Sequence, residues 1–434
     1  MGSFVMSQQE KVSRRNYVTA GLGVAALAGW GVAGYLASRP SAPAPPTVPE
    51  KMEILFGGLF CTSGSAAMFG AGIKAASEVA LEHINNHLEE VGSNIRFNMV
   101  SADTGTTAEG TLKAITSLAE TKGVKAVVGP GNSIEVGGIK SYCDANKIVA
   151  VAMSSSEAYS IKDYIFRPFV TNHLTAPPIA RLMWSLGIRK VACLYRDDAF
   201  GSSLHDFTKA EFEKLGGTWE STKYMIDLPD YSSEVAALSS AVSGFGADEK
   251  TGVFHVTFET DGLNIYGHAA TDPMLSKVKW FGTTDSKRDA FLPPAAPPSI
   301  GDFLVKVESQ GLFPVNPLNE VNRKFADAFK AKTGNNATGW DTYFYDDTWL
   351  LALALLETGG KFGEPLWKAV PEVAGRYLGA SGPTPLDENG DLARADFGVW
   401  HATKKDGKYQ YEYFKYYSAT TGEFAPWVPG AFMA

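Results

Sequence analysis

Cysteine is scarce, with three residues in 434 (Cys61, Cys143 and Cys193) and no CxxC pair. That excludes a disulfide framework and a thiolate zinc site, and Cys143 and Cys193 are expected to be free thiols. Histidine is scarce too, seven in all. The one close pair, His83 and His87, has i, i+4 spacing, but the His-Glu-x-x-His order of zinc proteases is missing and a solvated helix face accounts for it. No metal site is expected. Positive charge is not in excess: 39 Lys and Arg face 47 Asp and Glu, for a net charge of −8. A chain of that balance has no general attraction for phosphate backbones, so no nucleic-acid partner is expected. Neither a GxxxxGK[ST] loop nor a GxSxG elbow occurs, and the glycines of GPGNSIEVGG are misplaced for a dinucleotide fingerprint. They read as turn glycines, and no cofactor and no catalytic residue is expected.

What is present is core-forming material. Hydrophobic residues make up 45% of the chain, with 44 Gly and 23 Pro, enough for two or three domains and incompatible with disorder over most of the length. Near the N-terminus Lys11, Arg14 and Arg15 precede an uncharged run at residues 17–37, long enough to cross a bilayer at ~1.5 Å per residue. This is an export signal or a membrane anchor at residues 1–38. The string SRRNYV is similar to a twin-arginine signal, and twin-arginine export and ordinary secretion both stay open, as do cleavage and retention. Positive charge on the inner side places everything after Arg39 outside the cell. A Pro-rich linker follows at residues 39–51. Asn336-Ala-Thr is a lone glycosylation sequon.

From Lys51 onward short β-branched runs alternate with amphipathic stretches. EILFGGLF, IRFNMVSAD, VKAVVG and IVAVAM read as strands, with helices after Gly72, at residues 109–122 and from Ile134. The alternation restarts at KVACLY and gives further strands at GVFHVTF and VKWFG, with helices at residues 203–215 and 232–242. Two consecutive open α/β units with parallel sheets follow from this pattern. Ligands of such sheets bind beyond the carboxyl ends of the strands. The loops there are CTSGSAAMFG, GPGNS, MSSSEA, YRDDAFG, FETDG and GTTDSKR, and none contains histidine. Ser154, Ser155 and Ser156 admit three readings: a nucleophile, if a base lies beside it; a helix cap; or, with Ser133 on the neighbouring strand end, a carboxylate cradle at two helix starts.

About ten of these strings, in order from Glu53 to Phe414, resemble type I solute-binding proteins of ABC importers, in the branch that binds leucine, isoleucine, valine and related amino acids or amides. The opening strand with TSGSAAMFG and GIKAASEVALEHIN, VVGP with its serine, KVACLYRDDAFG, LPDYSSEVAAL, FGTTDS, YFYDDTWLLALAL and the final DLARADFGVWHATKKDGKYQYEYF carry the likeness. The resemblance implies two Rossmann-like lobes joined by three crossovers and closing on a small ligand like a hinged trap. It sets lobe 1 at residues 52–169 and 306–396 and lobe 2 at 170–305 and 397–434. It places Ser133 on a ligand carboxylate, Ser155 and Ser156 beside it, Phe200 at a stacking position usually held by Tyr, Phe258 or Glu259 at the next cleft position, and Asp285, with Thr284 as its one-residue alternative, near an α-ammonium. Lys287 and Arg288 are unusual in that loop and count against a simple aliphatic amino acid.

The implied function is capture of an amino acid of branched-chain type, or a related amide or carboxylate, outside the cytoplasm for an ABC permease in the membrane. Two alternatives are a ligand-sensing receptor ectodomain of the same fold, marked by a C-terminal membrane helix not read here, and a secreted hydrolase using Ser155 or Ser156.

Overall fold

The structure, a computed structural model, describes residues 51–315 and 318–432. The export or anchor segment and the linker up to residue 50 lie outside the described residues. Among the described residues no helix is long and apolar enough to cross a membrane.

The first strands form where the apolar runs predict them. β1 (Met52–Phe60), β2 (Ile95–Asp103), β3 (Ala126–Val128), β4 (Val149–Val151) and β5 (Ile165–Phe166) build a five-stranded sheet in the order β2-β1-β3-β4-β5, every pair parallel. The crossovers are α1 (Ala67–Glu90), α2 (Ala108–Lys122) and α3 (Ser133–Asn146). Local sequence sets their ends: Thr107 caps α2 by accepting from the Gly110 amide, and Gly123 ends it in the left-handed conformation. Asn132 caps α3 by accepting from the Glu135 amide at 3.1 Å, so the helix begins at Ser133 itself.

The second unit repeats the plan. After α4 (Asn172–Ser185) come β6 (Lys190–Arg196), α5 (Ala199–Lys214), β7 (Thr218–Tyr224), α6 (Ser232–Gly244), β8 (Thr251–Val256), α7 (Glu259–Ala269), β9 (Lys279–Gly282), α8 (Pro298–Lys306) and β10 (Gln310–Pro314). Their parallel strands run in the order β7-β6-β8-β9-β10. All six residues of the central strand β8 are buried, Thr251 and His255 included. Both sheets therefore have the doubly wound 2-1-3-4-5 order, with switch points between β1 and β3 and between β6 and β8.

The chain crosses between the sheets three times. It leaves β5 for α4, which packs on α5; it returns after β10 to α9 (Glu320–Thr333), which packs on α1, and then to α10 (Gly339–Glu357) and α11 (Glu364–Ala374); and it crosses again after the short pair β11 (Leu378–Gly379) and β12 (Gly382–Pro383). The last crossing leads to β13 (Phe397–Lys405), β14 (Lys408–Ser418) and β15 (Glu423–Pro426), which extend the second sheet antiparallel beyond β10. The middle crossing thus falls after Pro314 rather than at residue 306. QGLFP carries Gly and Pro and does not read as a strand, yet β10 pairs with β9 on one side and β13 on the other. β7 is likewise a strand that the alternation does not reveal, because TWESTKY is polar on a sheet edge with one face in solvent.

Cys61, Cys143 and Cys193 are all free and buried, and burial pushes each thiol up from its ordinary value. A disulfide-exchange reagent at pH 8 should therefore find no reactive thiol in the folded protein and three after denaturation. A native count above zero would mean that one of these sites opens readily.

Candidate functional site

Strand ends from both sheets converge on one cavity of about 50 Å³, several times the ~10–15 Å³ that a single water needs. The two switch points border it. From the first sheet, the loop after β1 and the start of α1 bring Ala66 and Phe69; the loop after β3 brings Gly131, Asn132 and Ser133; the loop after β4 brings Met153, Ser154 and Ser155. From the second, the turn after β6 brings Phe200, the turn after β8 brings Phe258 and Glu259, and the loop after β9 brings Thr284, Asp285 and Arg288. Phe169, just before the first crossing, and Trp340, in the first turn of α10, complete the wall. The approach is close at Gly131, where a Cβ would come within 2.8 Å of the Phe69 ring.

At the first-sheet end the polar groups are hydroxyls. Ser154 donates to the Ser133 hydroxyl at 2.9 Å, and among the described residues the Ser155 hydroxyl has no hydrogen-bond partner. Glu135, fully buried behind this loop, accepts from the Gly131 amide at 3.2 Å, from the Asn132 side chain at 2.6 Å and from the Thr104 hydroxyl. Ser156 does not line the cavity. It caps a three-residue 3-10 turn at Glu157–Tyr159, and its carbonyl accepts from Arg167 at 2.6 Å. The helix start expected after the serine triplet is thus a single turn, too short to gather a helix dipole.

At the other end the charged groups are already arranged among themselves. Asp285 is 1% exposed and accepts from the Thr283 hydroxyl at 2.6 Å, the Thr257 amide at 2.9 Å and the Ser286 hydroxyl at 3.2 Å. Burial raises its pKa, with the Thr283 and Thr257 hydrogen bonds opposing. Asp285, expected near an ammonium, lines the cavity while accepting three hydrogen bonds from its own sheet, one at Oδ1 and two at Oδ2. Arg288 donates to the Asp285 carbonyl at 2.9 Å and to Glu259 Oε1 at 2.5 Å. Glu259 Oε2 is buried without a partner, the one open carboxylate acceptor among the lining residues. Lys287 does not line the cavity; its amine lies 5.1 Å from the Phe313 ring centroid and 5.2 Å from that of Tyr413, and desolvation lowers its pKa.

The apolar wall is largely aromatic. Phe200 stacks on Phe258 at 5.5 Å, and Phe169 stacks on Trp340 at 5.4 Å. The guanidinium of Arg196 covers Phe258 at 3.8 Å, held by Asp198 and Asp261.

Of the residues singled out in the sequence, Ser133, Ser155, Phe200, Phe258, Glu259 and Asp285 border the same cavity and Ser156 does not. Phe69, Phe169 and Trp340 were missed. Phe69 had a signal, being an aromatic in the string after the first strand that reads as a loop and here forms the first turn of α1; Phe169 and Trp340 reach the cavity from a crossing segment and a helix distant in sequence. Among the described residues neither Ser155 nor Ser156 is hydrogen-bonded to a histidine side chain. A Ser221–His205–Asp206 hydrogen-bonded chain exists at the edge strand β7, and none of the three lines the cavity between the strand ends. His83 bonds Tyr345 at 2.9 Å, and among the described residues no group of three or more ligating side chains could hold a metal ion.

Two doubly wound sheets with their switch points on one shared cavity define a two-lobed binding fold of the periplasmic type I kind. The chain belongs to the periplasmic binding protein family, whose pattern matches residues 53–395. It is similar to the uncharacterized protein MJ1266 of Methanocaldococcus jannaschii, 26% identical over 370 residues that cover 80% of this chain and 86% of that one. It is also similar to the Leu/Ile/Val-binding protein homolog 6 of Brucella abortus, 24% identical over 271 residues, 58% of this chain and 66% of the relative. Among solved structures, a solute-binding protein of an ABC transporter from R. palustris, in complex with 4-hydroxybenzoate, matches with a TM-score of 0.70 at 17% identity, over 84% of this chain and 97% of that one.

Proposed function

We propose that this chain is the extracytoplasmic substrate-binding protein of an ABC importer, which traps a small carboxylate-bearing ligand, an amino acid or a related acid or amide, between its lobes and delivers it to a membrane permease. The observation that carries this reading is Glu259 Oε2, buried without a partner on an aromatic-walled cavity that Ser133, Ser155 and Thr284 also line. Buried polar atoms without partners cost stability, so a site that keeps them is built for a ligand that supplies the partners. A carboxylate takes the hydroxyls of Ser133 and Ser155; a hydrogen-bond donor on the ligand, such as an ammonium, an amide or a hydroxyl, takes Glu259 Oε2. The lobes close by hinging at the three crossovers, which excludes water and strengthens both contacts. The branched-chain amino acids suggested by the resemblance are one set within this class, in keeping with the name of the Brucella relative; the R. palustris protein shows the same fold around an aromatic acid. Residues 1–38 serve as export signal or anchor, and the protein performs no chemistry on its ligand.

Native mass spectrometry of the purified chain should reveal a co-purified small molecule, and calorimetric titration with amino acids, short amides and aromatic acids should identify it. Ser155→Ala and Glu259→Gln should each weaken binding about ten- to roughly hundredfold, since a hydrogen bond to a charged group contributes ~1.5–3 kcal/mol. Asp285→Ala should instead lower stability, because it strands the Thr257 amide. Unchanged affinity in both Ser155→Ala and Glu259→Gln would remove the cavity as the site.

A further inference from the structure

We infer that the body of the ligand is a planar aromatic ring rather than a branched aliphatic chain. This rests on the cavity being the ligand site, and it follows from how the rings are arranged. Each side of the cavity presents a stacked aromatic pair: Phe200 on Phe258 from the second sheet, with 20° between planes, and Phe169 on Trp340 from the first crossing and α10, with 28° between planes. A flat, delocalised group already reaches both pairs. The Arg288 guanidinium lies 5.2 Å from the Phe258 centroid and 5.7 Å from the Trp340 centroid. Aromatic rings gain from offset or edge-to-face contact beyond the area they bury, and a branched aliphatic group gains only from area. Phe69, edge-on to Trp340 at 5.7 Å, adds a ring at right angles to the stacked pair.

The polar groups suit the same ligand. Glu259 Oε2 offers one acceptor and the Ser133–Ser155 end offers hydroxyl donors, so the ligand has a carboxylate, a ring and one hydrogen-bond donor. An aromatic α-amino acid and a hydroxylated aromatic acid share that chemistry, the donor being an ammonium in one and a ring hydroxyl in the other.

Titration calorimetry of the full chain with L-phenylalanine, L-tyrosine and 4-hydroxybenzoate against L-leucine, L-isoleucine and L-valine tests this directly. At least one aromatic ligand should bind about tenfold or more tighter than the best aliphatic one. The winning member distinguishes amino acid from aromatic acid. A branched-chain amino acid binding as tightly as every aromatic ligand would overturn the inference while leaving the substrate-binding reading in place. No binding by any of the six would overturn the inference, and the substrate-binding reading would then depend on the co-purified molecule alone. In Trp340→Leu and Phe258→Leu the ratio of aromatic to aliphatic affinity should fall towards one; a ratio unchanged in both, with the melting temperature retained, would also count against the rings as its source.

Discussion

Asp391→Ala should destabilise the protein by about 3–5 kcal/mol, the effect of leaving a buried arginine without its carboxylate. Arg167 is 1% exposed and Asp391 3%. Four of the five guanidinium N–H groups are used: Nε donates to Asp391 Oδ1 at 2.6 Å, Nη2 to Asp391 Oδ2 and to the Ser160 hydroxyl at 2.8 Å, and Nη1 to the Ser156 carbonyl. Backbone contacts run alongside, from the Arg167 amide to the Gly390 carbonyl and from the Leu392 amide to the Arg167 carbonyl. The pair therefore ties the segment after β5 to the segment before the last crossing, and it holds the loop that carries Ser155. Removing one partner leaves a charge in a site with no water to solvate it, whereas an apolar replacement of both costs far less. Urea denaturation should show the full loss in Asp391→Ala and a substantial recovery in the double variant Arg167→Met, Asp391→Leu. Ligand affinity should fall in the single variant as well, because the Ser156 carbonyl loses its fixed donor. A single-variant loss below about 1 kcal/mol would show that solvent reaches this pair.

How much of this could be read from the chain alone depends on the range of the interaction concerned. EILFGGLF, VKAVVG, IVAVAM and KVACLY are strands because each is a short apolar run bounded by glycine or polar residues, a property carried within the segment. Loops after parallel strands gather ligand groups by topology, so the loops bearing Ser133, Phe200, Phe258 and Glu259 could be found without coordinates, and the family resemblance picked Phe200, Phe258 and Glu259 out of them. β10 could not, because GLF between Gln310 and Pro314 becomes a strand only by pairing with β9 and β13. Nor could the division of labour between Asp285 and Glu259. Both follow strands and both are acidic, but Thr283, Thr257 and Ser286 donate to both oxygens of the first, whereas Arg288 leaves one oxygen of the second without a partner. Trp340 has no local mark at all: it opens an ordinary capped helix, with Thr338 and Asp341 bonded reciprocally, and reaches the cavity only because α10 packs against α1.

Raising the pH from about 4.5 to about 7 should remove up to about 3 kcal/mol of stability through Glu135, a loss that Glu135→Gln should abolish. Burial raises this carboxyl from an ordinary 4.5 to about 7, with Asp103 adding to the rise and the hydrogen bonds from Thr104, Gly131 and Asn132 pulling it down. The sign follows from proton uptake. Between those two values the folded state holds a proton that the unfolded state has released, so the contribution is complete below about 4.5 and is lost as pH rises through about 7. Glutamine has the shape of the protonated acid: its oxygen accepts from Gly131 and Asn132, and its amide donates to Thr104. Wild type and Glu135→Gln should thus have similar urea midpoints at pH 4.5 and diverge above pH 6, the glutamine variant being the more stable. The same proton bears on the site, because Gly131 and Asn132 line the cavity, so ligand affinity should vary less with pH in Glu135→Gln than in the parent. Parallel stability curves for the two proteins across this range would mean that Glu135 is ionised in the folded state, its buried charge satisfied by the three donors around it.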